Sequence, residues 1–213
     1  MAEAQLQPPV DAARDHVAGP NDAPVTLVEY GDYECPFCGA AYPVVETLRR
    51  DFGDRLRFVW RQFPRPEHPH AHHAAEAAEA AAAQGQYWPM HHLLLTHQQA
   101  LEPADLERYA TELGLDLEQF RRDVAAPATH ARVGQDLTSG VHSGAHATPT
   151  FFVNGRLHLG HDDEADLRQA IREALDEQRA QDAVAEASWE SFPASDPPAW
   201  AGHPHPGPDE EPR

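Results

Sequence analysis

Cys35 and Cys38 are the only two cysteines in the 213-residue chain, three positions apart with Pro36 and Phe37 between them. Proline suits the first position of a helix, where its missing N–H costs nothing. Two thiols at this spacing can close a small disulfide, and a helix N-terminus stabilises the outer sulfur as a thiolate. The chemistry is thiol-disulfide exchange. Cys35, at the N-cap and open to substrate, is the expected nucleophile, and Cys38, one turn deeper and shielded, the expected resolving thiol. A CxxC is also half of a four-ligand zinc site, but that use needs two more ligands. No second CxxC exists, and His68 with His72 lies in a Pro-rich loop of different design, so no metal is expected. Exchange of this kind needs no organic cofactor.

Elements of alternating type surround the pair. Val25 to Tyr30 is apolar on both faces except at Glu29, the pattern of a central strand covered on both sides. Helix is predicted from Pro36 to Asp51, with Tyr42, Val45 and Leu48 on one stripe, a kink at Pro43 and a stop at Gly53. Arg55 to Trp60 alternates as a second strand. From Pro64 to about Gly144 the signal is helical: Ala74 to Ala83, Tyr87 to Gln99, Pro103 to Leu113 and Leu117 to Val124, with Pro103 and Pro127 at helix starts. Thr148 to Leu159 returns to strand, with Asn154-Gly155 as a two-residue hairpin turn, and Asp162 to Ala180 reads as a polar closing helix. The expected organisation is an extension over 1–24, strands and closing helix in 25–63 and 147–182, an all-helical insertion over 64–146, and a Pro- and acid-rich disordered tail over 183–213 in which Trp189 and Trp200 are candidates to dock on the body.

The formal net charge is −19 with no lysine, which disfavours a nucleic-acid or anionic-membrane partner. No stretch approaches the roughly 20 apolar residues of a membrane span, and the first 24 residues lack the pattern of a signal peptide. The expected compartment is the cytoplasm, with export as the alternative if a signal peptide has been removed.

Strand, CxxC helix, strand, helical block, Pro-initiated hairpin and helix resembles the DsbA-like thiol-disulfide oxidoreductases of the thioredoxin superfamily. The resemblance covers about Asp22 to Ala180. It rests on Ala23-Pro24-Val25-Thr26-Leu27-Val28-Glu29-Tyr30 leading to the CPFC, on His68-Pro69-His70-Ala71, on Tyr87-Trp88 with Met90-His91 and Leu94, and on Ala147-Thr148-Pro149-Thr150-Phe151-Phe152-Val153-Asn154-Gly155. It implies an α/β thioredoxin fold with an inserted all-helical domain.

It further implies that Thr148-Pro149 is a cis peptide facing the redox pair, that Thr148 pairs main chain with an extended substrate, and that Pro149 packs against the disulfide and blocks unwanted pairing. Pro36 and Phe37 complete the substrate-binding positions. Glu29 matches the buried acid beneath the CxxC that relatives use for proton transfer to the deeper thiol, and a carboxyl on a doubly covered strand should have a raised pKa. Strongly oxidising members carry His where this chain has Phe37, so an intermediate potential is expected, between about −120 and −270 mV. His68-Pro69-His70-Ala71 reads as a loop and helix cap rather than a metal cluster, His142 and His146 as surface loop positions, and Trp88, Leu93, Leu94, Leu101 and Tyr109 as core.

The resulting expectation is a monomeric protein-disulfide oxidoreductase acting on protein or peptide thiols and exchanging electrons with a redox partner. The alternative is a redox-sensing or metal-binding interaction module that uses the CxxC as a switch. A glutathione-dependent isomerase fits less well, because those relatives usually lack the paired cysteines.

Overall fold

The structure, a computed structural model, describes residues 4–190, with side chains to residue 186. Its centre is a five-stranded mixed sheet in the order β1-β3-β2-β4-β5. The strands are β1 (His16–Ala18), β2 (Val25–Gly31), β3 (Leu56–Gln62), β4 (Thr150–Val153) and β5 (Arg156–Leu157). β2 runs parallel to β3 and antiparallel to β4. Every residue of β2 is buried, as an apolar strand covered on both faces must be. The β4-β5 turn is Asn154-Gly155, both at positive φ (46° and 81°), the backbone that a tight two-residue hairpin requires.

Helix α1 (Pro36–Phe52) follows β2 and runs through Pro43 without a break, burying Cys38, Ala41, Val45, Leu48 and Phe52. Between β3 and β4 stands the helical insertion: α2 (Ala71–Ala82), α3 (Tyr87–Thr96), α4 (Pro103–Glu112), α5 (Leu117–Val124) and α6 (Pro127–Ser143). The fold is thus the expected α/β thioredoxin fold with an all-helical insertion. Leu93, Leu94, Leu101 and Tyr109 are buried, with Trp88 packed against them, in the core role read for them. Helix α2 begins three residues earlier than its alanine run suggested, with His70 as N-cap. The His70 side chain does not cap the helix, because it is held by Glu34 instead.

Two expectations change. The N-terminal segment does not merely lead into the first strand. Gln5 bridges to Arg156, Leu6 is buried, and β1 pairs with β3 at the sheet edge. The reason is Arg61, whose side chain is wholly buried. A guanidinium there requires a counter-charge, and Asp15 supplies it with contacts of 3.0 and 2.9 Å, while Pro8 and Pro9 contribute carbonyls and Tyr30 its hydroxyl. At the other end, α7 (Glu164–Glu190) outruns the predicted Ala180, so 183–190 are helical rather than tail. Within residues 4–177, a compact unit, Leu167, Ile171, Ala174 and Leu175 of α7 are buried. Residues 178–190 continue as helix, exposed wherever their side chains are described from Arg179 on. They are rich in Ala, Gln and Glu, whose high helix propensity overrides the disorder signal of charge. The rest of the expected tail, 191–213 with Trp200, and the Trp189 side chain lie outside the described residues.

Candidate active site

The turn Gly31-Asp32-Tyr33-Glu34 carries the chain from β2 into α1 and sets Cys35 as the N-cap, with extended φ and ψ of −72° and 121°. Gly31 is required beneath it, since a Cβ there would overlap the ring of Trp60. Asp32, buried, ties the turn together. Its carboxylate accepts from the Glu34 amide at 2.8 Å, the Arg65 amide at 2.7 Å and His68 Nδ1 at 2.7 Å. From the insertion, Gln98 donates through Nε2 to the carbonyls of Tyr33 (2.9 Å) and Cys35 (2.7 Å).

Across from the turn lies the segment entering β4. Thr148-Pro149 is cis, as the resemblance implied. Cys35 Sγ is 3.3 Å from the Thr148 carbonyl, and Arg65 holds the same segment through the His146 carbonyl at 3.0 Å. Cys38 is fully buried, with the Asp32 amide 3.4 Å from its sulfur. Cys35 is 3 % exposed, more enclosed than an N-cap position suggested, because the Thr148 segment covers it. Pro36 and Phe37 flank it on the surface, Phe37 at 70 % exposure.

The two free thiols are electrostatically unequal. A hydrogen bond from Cys38 brings the Cys35 pKa down to about 5 against the opposing effect of burial, with Thr148 and the amides of Cys38 and Phe37 adding to it. Burial pushes the Cys38 thiol well up, and its bond to Cys35 and the charges of Glu29 and Cys35 push it further. Glu29 sits mid-strand, opposite Trp60 on β3 and Phe151 on β4, with Oε1 buried and unpartnered. Burial raises its pKa well above the usual carboxylate range, and the charges of Asp162 and Cys35 add to that. Burial disfavours the charge on His68, but the Asp32 bond and charge outweigh it and raise its pKa.

At neutral pH the arrangement therefore holds a thiolate at Cys35 over a protonated thiol at Cys38, with a carboxyl below that is hard to ionise. The seven residues singled out from the sequence, Glu29, Cys35, Pro36, Phe37, Cys38, Thr148 and Pro149, converge here. Asp32, Gln98 and Asp162 were missed. An aspartate three residues before a helical CxxC is a turn-forming signal that could have drawn attention to Asp32. Nothing local marks Gln98, 63 residues away from Cys35.

The family model described as thioredoxin matches residues 11–187. A thioredoxin-like oxidoreductase from Silicibacter pomeroyi superposes with a TM-score of 0.70 at 33 % identity, over 78 % of this chain and 94 % of that one. BdbD from Bacillus subtilis shares the fold at 23 % identity, with a TM-score of 0.72 over 82 % of this chain and 97 % of its own. The chain belongs to the thioredoxin family. Among curated proteins it is 49 % identical over 156 residues to Na(+)/H(+) antiporter NhaA 3 of Salinispora tropica, and 51 % identical over 171 residues to NhaA 1 of Salinispora arenicola. These matches take in 73 % and 80 % of this chain, which spans only about a quarter of those relatives (24 % and 26 %). Among the described residues no helix is long and apolar enough to cross a membrane.

Proposed function

We propose that the protein exchanges disulfides with protein or peptide thiols, as a monomer, through a mixed disulfide at Cys35 that Cys38 resolves. The observation that carries this reading is the opposite displacement of the two thiols, Cys35 down to about 5 and Cys38 up. In the reducing direction the Cys35 thiolate attacks a substrate disulfide, forming one S–S bond and expelling a substrate thiolate. Cys38 then loses its proton to Glu29, which accepts it in its ionised carboxylate form, and attacks Cys35 Sγ, releasing the second substrate thiolate and leaving Cys35–Cys38 oxidised by two electrons. The oxidising direction is the reverse, with Glu29 returning the proton to Cys38. A carboxyl whose pKa is drawn up toward that of a thiol is suited to both transfers. Thr148 offers main chain beside Cys35 for an extended substrate, Pro149 lacks the N–H that would compete for pairing, and Pro36 and Phe37 provide an exposed rim.

The test is the reduction potential of the pair in glutathione buffers, with Cys38→Ser as control. Since Phe37 brings no cationic side chain to the thiolate, the expected value is intermediate, between about −120 and −270 mV. A value near the lower limit supports a cytoplasmic reductant, and one above about −180 mV a disulfide donor. Failure to form a reversible disulfide overturns the reading.

One observation favours a second reading, the CxxC as a redox switch on a joined partner: the curated relatives are chains some four times the matched length, named as antiporters. Dithiol-dependent turnover of a model disulfide separates the two. Reversible oxidation without turnover supports the switch.

A further inference from the structure

The histidines after β3 do not act together. His68 goes to Asp32 and His70 to Glu34 and Glu102, while His72 and His73 turn to Glu76 on their own helix. A third histidine, His130 of α6, reaches the same carboxylate. His72 Nε2, His130 Nδ1 and Glu76 Oε1 form a triangle with sides of 3.1, 3.0 and 3.3 Å.

Hydrogen bonding does not satisfy this triangle. If one imidazole nitrogen carries a proton, it can be shared with the other two atoms, but the remaining edge then sets lone pair against lone pair. If both carry protons, the two N–H groups oppose each other. A cation at the centre satisfies all three edges. Ligand atoms about 2.0–2.1 Å from a tetrahedral zinc stand roughly 3.3–3.4 Å apart, so the triangle needs to widen only by a few tenths of an ångström.

The supports are those of a ligand set. His72 and Glu76 are four residues apart on α2 and so share a helix face. Glu76 is buried, and its second oxygen is engaged by His73 Nδ1 at 3.3 Å, which orients the carboxylate as partners of metal ligands commonly do. A surface recess lined by His73, Glu76, Val124, Pro127, His130 and Ala131 adjoins two of the three residues, Glu76 and His130.

We infer that His72, Glu76 and His130 form a binding site for a divalent transition-metal cation, with zinc the best match to two imidazoles and a carboxylate, clamping α2 to α6.

The experiment adds cobalt(II) to the 213-residue chain carrying Cys35→Ser and Cys38→Ser, so that the thiols cannot bind the metal. It follows the visible absorption of four-coordinate cobalt and its displacement by zinc. The expected result is one equivalent bound at micromolar metal and released by zinc, with affinity at least about 10-fold weaker in His130→Ala and unchanged in His142→Ala, an exposed position on the same helix. His130 is 68 % exposed at its side chain, so its removal leaves the fold intact. Zinc should also raise the Tm of the parent protein and not that of His130→Ala. No saturable uptake, or uptake and Tm shift indifferent to His130→Ala, overturns the proposal.

Discussion

Gln98 Nε2 lies 2.7 Å from the carbonyl oxygen of Cys35 and thereby fastens the helical insertion to the residue that begins the redox helix. The same amide reaches the Tyr33 carbonyl at 2.9 Å. Cys35 keeps a second partner, the Gly39 amide at 3.1 Å, when Gln98 is removed. Gln98→Ala should therefore cost about 1–2 kcal/mol, read from denaturant midpoints. Gly39→Ala should act in the same direction, because its methyl would occupy the place of the Gln98 side-chain oxygen. Unchanged stability in both variants would show that the insertion does not brace the turn.

The Cys35 thiolate should be visible in a pH titration. Absorbance near 240 nm and the rate of alkylation should both rise with pH through about 5 and then level off. Cys38→Ala deletes the hydrogen bond that contributes most to the lowering, so its midpoint should move upward. A midpoint that stays in place would assign the lowering to the helix N-terminus alone.

Glu29→Gln should leave formation of the mixed disulfide nearly unchanged and slow its release, on the order of 10²-fold for loss of a positioned proton acceptor. Quench-and-trap of the Cys35 adduct measures this, and unchanged release removes Glu29 from the mechanism. The same variant has a signature in stability. The folded pKa of Glu29 is raised above its ordinary value of 4.5, so the folded state holds a proton that the unfolded chain gives up. Stability of the parent protein should fall, relative to Glu29→Gln, as pH rises from about 4.5 until the folded pKa is passed.

Asp15→Asn should destabilise the protein by about 3–5 kcal/mol, because it leaves the buried Arg61 guanidinium without its counter-charge. Thermal or urea unfolding checks this. A loss below about 1 kcal/mol would mean that the N-terminal segment contributes little to holding the sheet.

By itself the sequence determined the site's chemistry and the order of the elements around it. Cys35-Pro36-Phe37-Cys38 carries its redox reading within four residues, the apolar run of β2 declares a strand buried on both faces, and Asn154-Gly155 declares its hairpin. All are local: periodicity and turn chemistry depend on neighbours within a few positions. The tertiary structure alone decided which polar residues meet. Asp15 finds Arg61 across 46 positions, Gln98 finds Cys35 across 63, and His130 finds Glu76 across 54. In the sequence each of these looks like an ordinary solvated side chain, and α7 past residue 182 looks like tail. The physical reason is that a charged or amide group carries no periodic signal for its partner, and only the folded path of the chain removes water from both and leaves them to satisfy each other.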